Sequence, residues 1–251
     1  MKLVKMIINN YRQFEKAVLD FDDDVTILAG ANNSGKTSLI TLIRNMMSKE
    51  QVTYSESDIP AKNMRVWIDK VYPLFKNFFT NDNGIDAIET ELLDKILPES
   101  DKDEKLVIKT TEVYIQVVYN VLEDDIKLFA DYIMDLDEKE HSFYFVYAYE
   151  INRHLFGKKL TENFDKIKQR FLDLDDPNKE VKLRYLQELL VRIYLNSIKP
   201  VCYFCDKKYE NKCPMNDVSE FRNLFNFTYI KASRPLDDDD SDHSRMLSKQ
   251  M

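Results

Sequence analysis

The chain has 251 residues, 44% of them hydrophobic and 12% aromatic, enough for one large domain or two small ones around a sizeable core. Its formal charge of −8 excludes a surface that binds nucleic acid all over and leaves room for a local basic face. No apolar run approaches the roughly 20 residues that cross a bilayer, and the apolar stretch at residues 1–8 is too short for a secretory signal. Three cysteines, an odd number, fit a cytoplasmic protein with reduced thiols better than a disulfide framework.

Residues 2–9 alternate well enough for a strand, and Glu15 to Phe21 read as a second. Between them lies a polar turn with two aromatic anchors, Tyr11 and Phe14. The acidic run Asp22–Asp24 reads as a solvated turn. Val25-Thr26-Ile27-Leu28 is then predicted as a third strand, and it feeds Gly30-Ala31-Asn32-Asn33-Ser34-Gly35-Lys36-Thr37. That stretch fits the phosphate-loop pattern G-x-x-x-x-G-K-[ST] without a mismatch.

The chemistry of such a loop requires this order of parts. Glycines at both ends let the chain curl so that successive backbone N–H groups converge on phosphate oxygens. A helix starting at Gly35-Lys36-Thr37 and running through Ser38, Leu39, Ile40, Leu42 and Ile43 adds its free N–H groups and its positive dipole end. Lys36 is placed to reach the β- and γ-phosphates of ATP, and the Thr37 hydroxyl to ligate Mg²⁺. Asn33 stands where related loops often have glycine, and Asn is among the few side chains that tolerate positive φ. The predicted nucleotide-binding residues are therefore Gly30, Asn32, Asn33, Ser34, Gly35, Lys36, Thr37 and Ser38.

The lead-in narrows the reading. Ile8, Asn10, Tyr11, Arg12 and Phe14, followed by an apolar-acidic strand and then Gly30, Asn32, Ser34, Gly35, Lys36 and Thr37, resemble the start of an ABC-type ATPase head. The branch it resembles includes SMC proteins, RecF and the overcoming-lysogenization-defect (OLD) nucleases, and Asn33 in place of a third loop glycine looks more like the OLD-type members. The close match covers about 45 residues. The resemblance implies an α/β phosphate-loop NTPase of the ABC/SMC-head type: an N-terminal lobe with a mixed sheet and helices, carrying a largely helical insertion. It also implies that the turn at Tyr11-Arg12-Gln13 lies near the base or phosphates of ATP, with Arg12 a nucleotide contact. An ordinary hairpin turn is the alternative. DNA enters as a partner through the resemblance alone, as does a homodimer or assembly with a second head or a C-terminal half.

Farther along, Trp67, Tyr72, Phe75, Phe78 and Phe79 predict a core-packed helix over 61–79, kinked or divided at Pro73. Ile85, Ile88, Leu92, Leu93 and Ile96 recur at helical spacing up to Pro98. Residues 106–119 and 141–151 read as strands around a helix from Glu123 to Leu136, with Ile126, Phe129, Ile133 and Met134 inward. That layout resembles the accessory sheet of ABC-type heads. Helices are predicted near 160–173 and 179–197, and short strands at Val201–Cys205 and Phe227–Lys231. The division by residues is 1–60 for the strands, phosphate loop and first helix, 61–225 for the insertion, and 226–251 for a returning strand and acidic tail.

Two features of the resembling heads have no counterpart here: a Ser-Gly signature loop, and four apolar residues ending in Asp-Glu. The nearest substitutes are Glu123-Asp124-Asp125 and Asp173-Leu174-Asp175-Asp176. The chain therefore reads as an N-terminal fragment, a split gene product or a degenerate head. Cys202-x-x-Cys205 with Cys213 has part of a zinc-knuckle spacing but lacks a local fourth ligand, so a Zn²⁺ site and buried, inert thiols both stand as readings. On function, the alternatives are an ATPase head of a repair, DNA-cleaving or phage-defence protein and a nucleotide-gated module that does not hydrolyse ATP. A small-molecule kinase fits the loop but not the lead-in.

Overall fold

Strand β1 (Lys2–Tyr11) turns back into β2 (Phe14–Asp20) through the two residues Arg12 and Gln13. The computed structural model describes residues 2–49, 54–81, 83–100, 103–120, 129–134, 141–172 and 179–230. On its other side β1 pairs with β3 (Glu112–Val118), which continues through β4 (Ser142–Ile151), β5 (Ile198–Cys205) and the short β6 (Lys212–Pro214). Every pairing among the described residues is antiparallel, so the sheet they form is not the mixed one expected.

Side chains alternate across a pleated sheet, and here one face carries Met6 and Ile8, then Val113, Ile115 and Val117, then Phe143, Phe145 and Tyr147. Helix α1 (Lys36–Met47) covers that face with Leu39, Leu42 and Met46, spaced along one helical stripe. Helix α7 (Val218–Asn223) adds Val218 and Phe221. The side chain of Arg222 then donates to the Asn45 and Met46 carbonyls, satisfying acceptors that the last turn of α1 leaves unpaired.

A second core is helical. It joins α2 (Ala61–Thr80), a π-helical turn at Ile88–Leu93 with α3 (Asp94–Ile96), α4 (Arg153–Glu162), α5 (Phe164–Leu172) and α6 (Lys179–Leu195). The predicted aromatic helix is present and runs through Pro73 unbroken, with Trp67, Phe75, Phe78 and Phe79 buried. Ile151 and Ile198, where β4 ends and β5 begins, pack on this core and fasten it to the sheet. The helix expected near 160–173 is two helices divided at Asn163, and the first begins earlier, at an Asn152 cap that accepts the Leu155 N–H at 2.8 Å.

Three further expectations are corrected. Val25–Leu28 is not a strand: no neighbour among the described residues pairs with it, and Val25 and Ile27 are 66% and 81% exposed. The same reason applies at Phe227–Ile230, where Ile230 is 87% exposed; Lys231 lies outside the described residues. Of residues 106–119, the segment before Glu112 is not strand; Trp67 Nε1 and the Tyr194 hydroxyl instead bond the Leu106 carbonyl and Ile108 N–H, drawing it to the helical core. The helix expected from Glu123 to Leu136 falls largely outside the described residues. Within 129–134 there is a 3₁₀ turn at Ala130–Tyr132, with Phe129 buried but Ile133 and Met134 exposed. Asp124, Asp125, Asp175 and Asp176 also lie outside the described residues.

Candidate nucleotide site

The turn into α1 depends on Gly35. Its φ of 89° lies in the left-handed region, and a Cβ there would overlap the Gln13 side chain and the Phe14 ring. Asn33 has φ 62°, the positive value that its residue type tolerates. These two conformations wrap the loop so that Gln13 and the run from Asn32 to Ser38 line a cleft of about 550 Å³. Gln13 of the hairpin turn thus forms one wall of the cleft, while Arg12, the residue of that turn singled out from the sequence, is not among the lining residues.

Two observations fit the cleft to an anion. The first turn of α1 holds no acidic residue, and no side chain caps its N–H groups. A 12-residue helix therefore presents free donors and its positive dipole end toward the loop. Lys36 supplies the full charge: its Nζ donates to the Gly30 carbonyl at 2.6 Å, the Ala31 carbonyl at 2.7 Å and Ser34 Oγ at 3.2 Å. Those acceptors hold the ammonium against the loop. Thr37 is exposed and Ser38 half-buried at the same helix end.

Arg12 approaches from the hairpin. Its Nη1 donates to Ser38 Oγ at 3.2 Å, while Nε and Nη2 both reach Asp58 Oδ1 at 3.0 Å. Arg12 has φ 50°, at the first central position of a two-residue hairpin, where glycine is the usual occupant. Such a conformation costs on the order of 1 kcal/mol and persists where neighbours over-determine it. Asp58 is that neighbour, and it is buried to 4% exposure.

The AAA ATPase domain family matches residues 1–250. The chain belongs to that family. A search of curated proteins finds no match to it. Membership makes nucleotide binding the chain's general function, and the family's ATPases usually employ Mg²⁺. The residues present fit both: backbone donors and an ammonium for the phosphates, and the Thr37 hydroxyl at the helix end for a hard cation. No described helix is long and apolar enough to cross a membrane.

Tyr11, beneath the same turn, is 1% exposed, and its hydroxyl has no hydrogen-bond partner among the described residues. Burial and then the nearby Asp58 carboxylate raise its pKa well above the ordinary phenol value, so it stays neutral. The aromatic anchor expected at this position is therefore a packing residue.

The cysteines are not brought together as a zinc site. Cys202 and Cys205 are three residues apart on β5, and a strand's period of two sends them to opposite faces. Cys202 joins the core under α1, and Cys205 packs with Tyr144 and Val146 on the other face. Cys213 pairs opposite Phe204 and so shares the face of Cys202. No group of three or more candidate ligands lies among the described residues. Burial raises the Cys202 pKa strongly and that of Cys205 to about 11, which disfavours the thiolates that metal binding needs.

Proposed function

We propose that this chain binds Mg²⁺–ATP in the cleft between the phosphate loop and the Arg12–Gln13 turn, as the head of an SMC/RecF/OLD-like protein linked to DNA repair, DNA cleavage or phage defence. The observation that carries ATP binding is the uncapped, acid-free first turn of α1 joined to the Lys36 ammonium. In this reading the N–H groups of residues 33–37 hold the phosphates. Lys36 exchanges the Gly30 and Ala31 carbonyls for β- and γ-phosphate oxygens, and Thr37 ligates Mg²⁺. The metal would neutralise charge on the phosphates when bound.

The finer assignment is supported by the two-strand lead-in, which the structure forms as the β1–β2 hairpin against α1. Pairing with a second head or a C-terminal half, and DNA as a partner, belong to the same proposal, as does the division into 1–60, 61–225 and 226–251. Calorimetry with native and Lys36→Ala protein tests the site: affinity should fall at least tenfold, and unchanged affinity in a folded variant would refute it.

A second reading is favoured by one observation. Among the described residues that line the cleft none is a carboxylate, so no general base for the attacking water stands there. On that reading the chain is a nucleotide-gated interaction module. A phosphate-release assay separates the two.

A further inference from the structure

We propose that Asp58 is a positioning residue of the nucleotide site, holding the Arg12–Gln13 turn as a wall of the cleft and aiming the Arg12 guanidinium at the first turn of α1. The proposal rests on the ATP site described above and adds to it a residue outside the cleft, 46 positions from Arg12 in the chain.

The turn is gripped from two sides. On the cleft side, Gln13 and Phe14 lie so close to Gly35 that a methyl group there would not fit. On the opposite side, the Asp58 carbonyl accepts the Arg12 backbone N–H at 2.9 Å, while Oδ1 accepts both Nε and Nη2. Backbone and side chain of one residue are thus held by backbone and side chain of another. That arrangement fixes the position of the turn and the direction of the guanidinium together.

The carboxylate is itself preorganised. Oδ2 accepts the Ser55 N–H at 3.1 Å and the Ser55 hydroxyl at 2.9 Å, closing a capping box over the 3₁₀ turn Glu56–Asp58. Both carboxylate oxygens are therefore satisfied at a side-chain exposure of 6%, where an unpaired charge would be strongly disfavoured. With Nε and Nη2 committed to Asp58, Nη1 is the nitrogen directed to Ser38 Oγ, one residue beyond Thr37. Segment 59–61 leads from Asp58 directly into α2, so the latch also joins the helical layer to the nucleotide cleft. Asp58 does not line the cleft, and its effect on ATP passes through Arg12.

A staple that merely holds the hairpin would lower stability and leave the affinity of the folded protein alone. A positioning residue changes affinity, and changes it through its partner. The test is a double-mutant cycle on the full chain: native, Asp58→Asn, Arg12→Ala and the double variant, with Mg²⁺–ATP affinity measured by calorimetry well below each melting temperature. Asp58→Asn should weaken binding about tenfold, the factor matching one charge-assisted hydrogen bond. The double variant should bind within about twofold of Arg12→Ala, the limit of ordinary additivity error. A folded Asp58→Asn protein binding ATP within twofold of native would overturn the proposal. So would independent, multiplying losses in the double variant. If Asp58→Asn does not fold, Ser55→Ala removes one bond that orients the carboxylate, and it should weaken binding about threefold; native affinity there would also overturn it. Lys36→Ala serves as control. A native chain that binds no ATP would remove the site itself, which is a different failure from a native chain that binds and an Asp58 variant that binds equally well.

Discussion

Gly35→Ala is the perturbation whose size the structure sets most directly. At φ 89° an added Cβ enters a region that costs an L-residue about 1–2 kcal/mol. The same Cβ meets the Phe14 ring and the Gln13 side chain, and overpacking of this kind adds about 1–3 kcal/mol. Together these give a loss on the order of 2–5 kcal/mol, a large share of the 5–15 kcal/mol that stabilises an ordinary domain. For a chain of this length about 1 kcal/mol moves the melting temperature by 2–4 °C, so a fall on the order of 10 °C is expected. Thermal unfolding followed by circular dichroism reads it. Gly84→Ala is the matched control, because a Cβ at Gly84 meets nothing within 4 Å; its melting temperature should stay within about 2 °C of native. Phe14→Leu placed in the Gly35→Ala background should recover the Phe14 share of the steric part and leave the Gln13 contact and the backbone part. A Gly35→Ala protein that melts within 2 °C of native would refute the argument, since neither the left-handed turn nor the contact with the hairpin would then exist as described.

Thr37→Ala should flatten the Mg²⁺ dependence of ATP affinity while leaving metal-free binding near native, as loss of a metal-bound hydroxyl requires; an unchanged Mg²⁺ titration would remove Thr37 from the metal site. Purified protein should carry no stoichiometric zinc by elemental analysis. One zinc per chain, released by Cys202→Ser, would overturn the separation of the thiols on opposite sheet faces. With both β5 thiols raised by burial, Cys205 to about 11, each is almost wholly protonated at pH 8. Native alkylation of Cys202 and Cys205 should therefore be far slower than in denaturant, and equal rates by mass spectrometry would contradict their burial. Phosphate release by the 251-residue chain should be very slow, because no carboxylate lines the described cleft. Robust Lys36-dependent turnover would mean a catalytic acid elsewhere in the chain, with Asp124, Asp125, Asp175 and Asp176 the first to substitute.

The phosphate loop was legible because its constraints are local. Gly35 answers to its own φ and Asn33 to its tolerance of positive φ, while Leu39 and Leu42 answer to the helical period; of the apolar residues read with them, Ile40 proves exposed. The hairpin was legible for the same reason: two alternating runs flank a polar turn. Val25–Leu28 shows where this stops. Its residues have every local mark of a strand, but a strand exists only against a neighbour, and sequence composition does not say whether one is present. Outside the β1–β2 and β5–β6 hairpins direction is equally non-local, and the antiparallel β1–β3, β3–β4 and β4–β5 pairings were long-range choices. The cysteines, for which a zinc site and buried thiols both stood as readings, are a different case. Cys-x-x-Cys brings thiols together on a turn, but on a strand the same spacing separates them, so the metal reading hinged on the secondary structure of Val201–Cys205, itself read correctly as strand.

Asp58 marks the harder limit. Ser55-Glu56-Ser57-Asp58 does carry a readable local signal, since Ser or Thr followed three positions later by an acid marks a cap before an apolar run. That signal explains the Ser55–Asp58 bonds and nothing beyond them. The contact with Arg12 depends on how the segment entering α2 meets the β1–β2 turn, which only the folded chain determines. Conversely, the structure changes the meaning of Arg12. Read along the chain it was a nucleotide contact or a hairpin residue; in the fold it spends two nitrogens on a buried carboxylate and directs the third toward α1. A side chain that served only to close a hairpin would not need a positive φ that glycine adopts with less strain. The strain is intelligible if the guanidinium must stand at this place, between Asp58 and the first turn of α1, where the phosphates are proposed to bind.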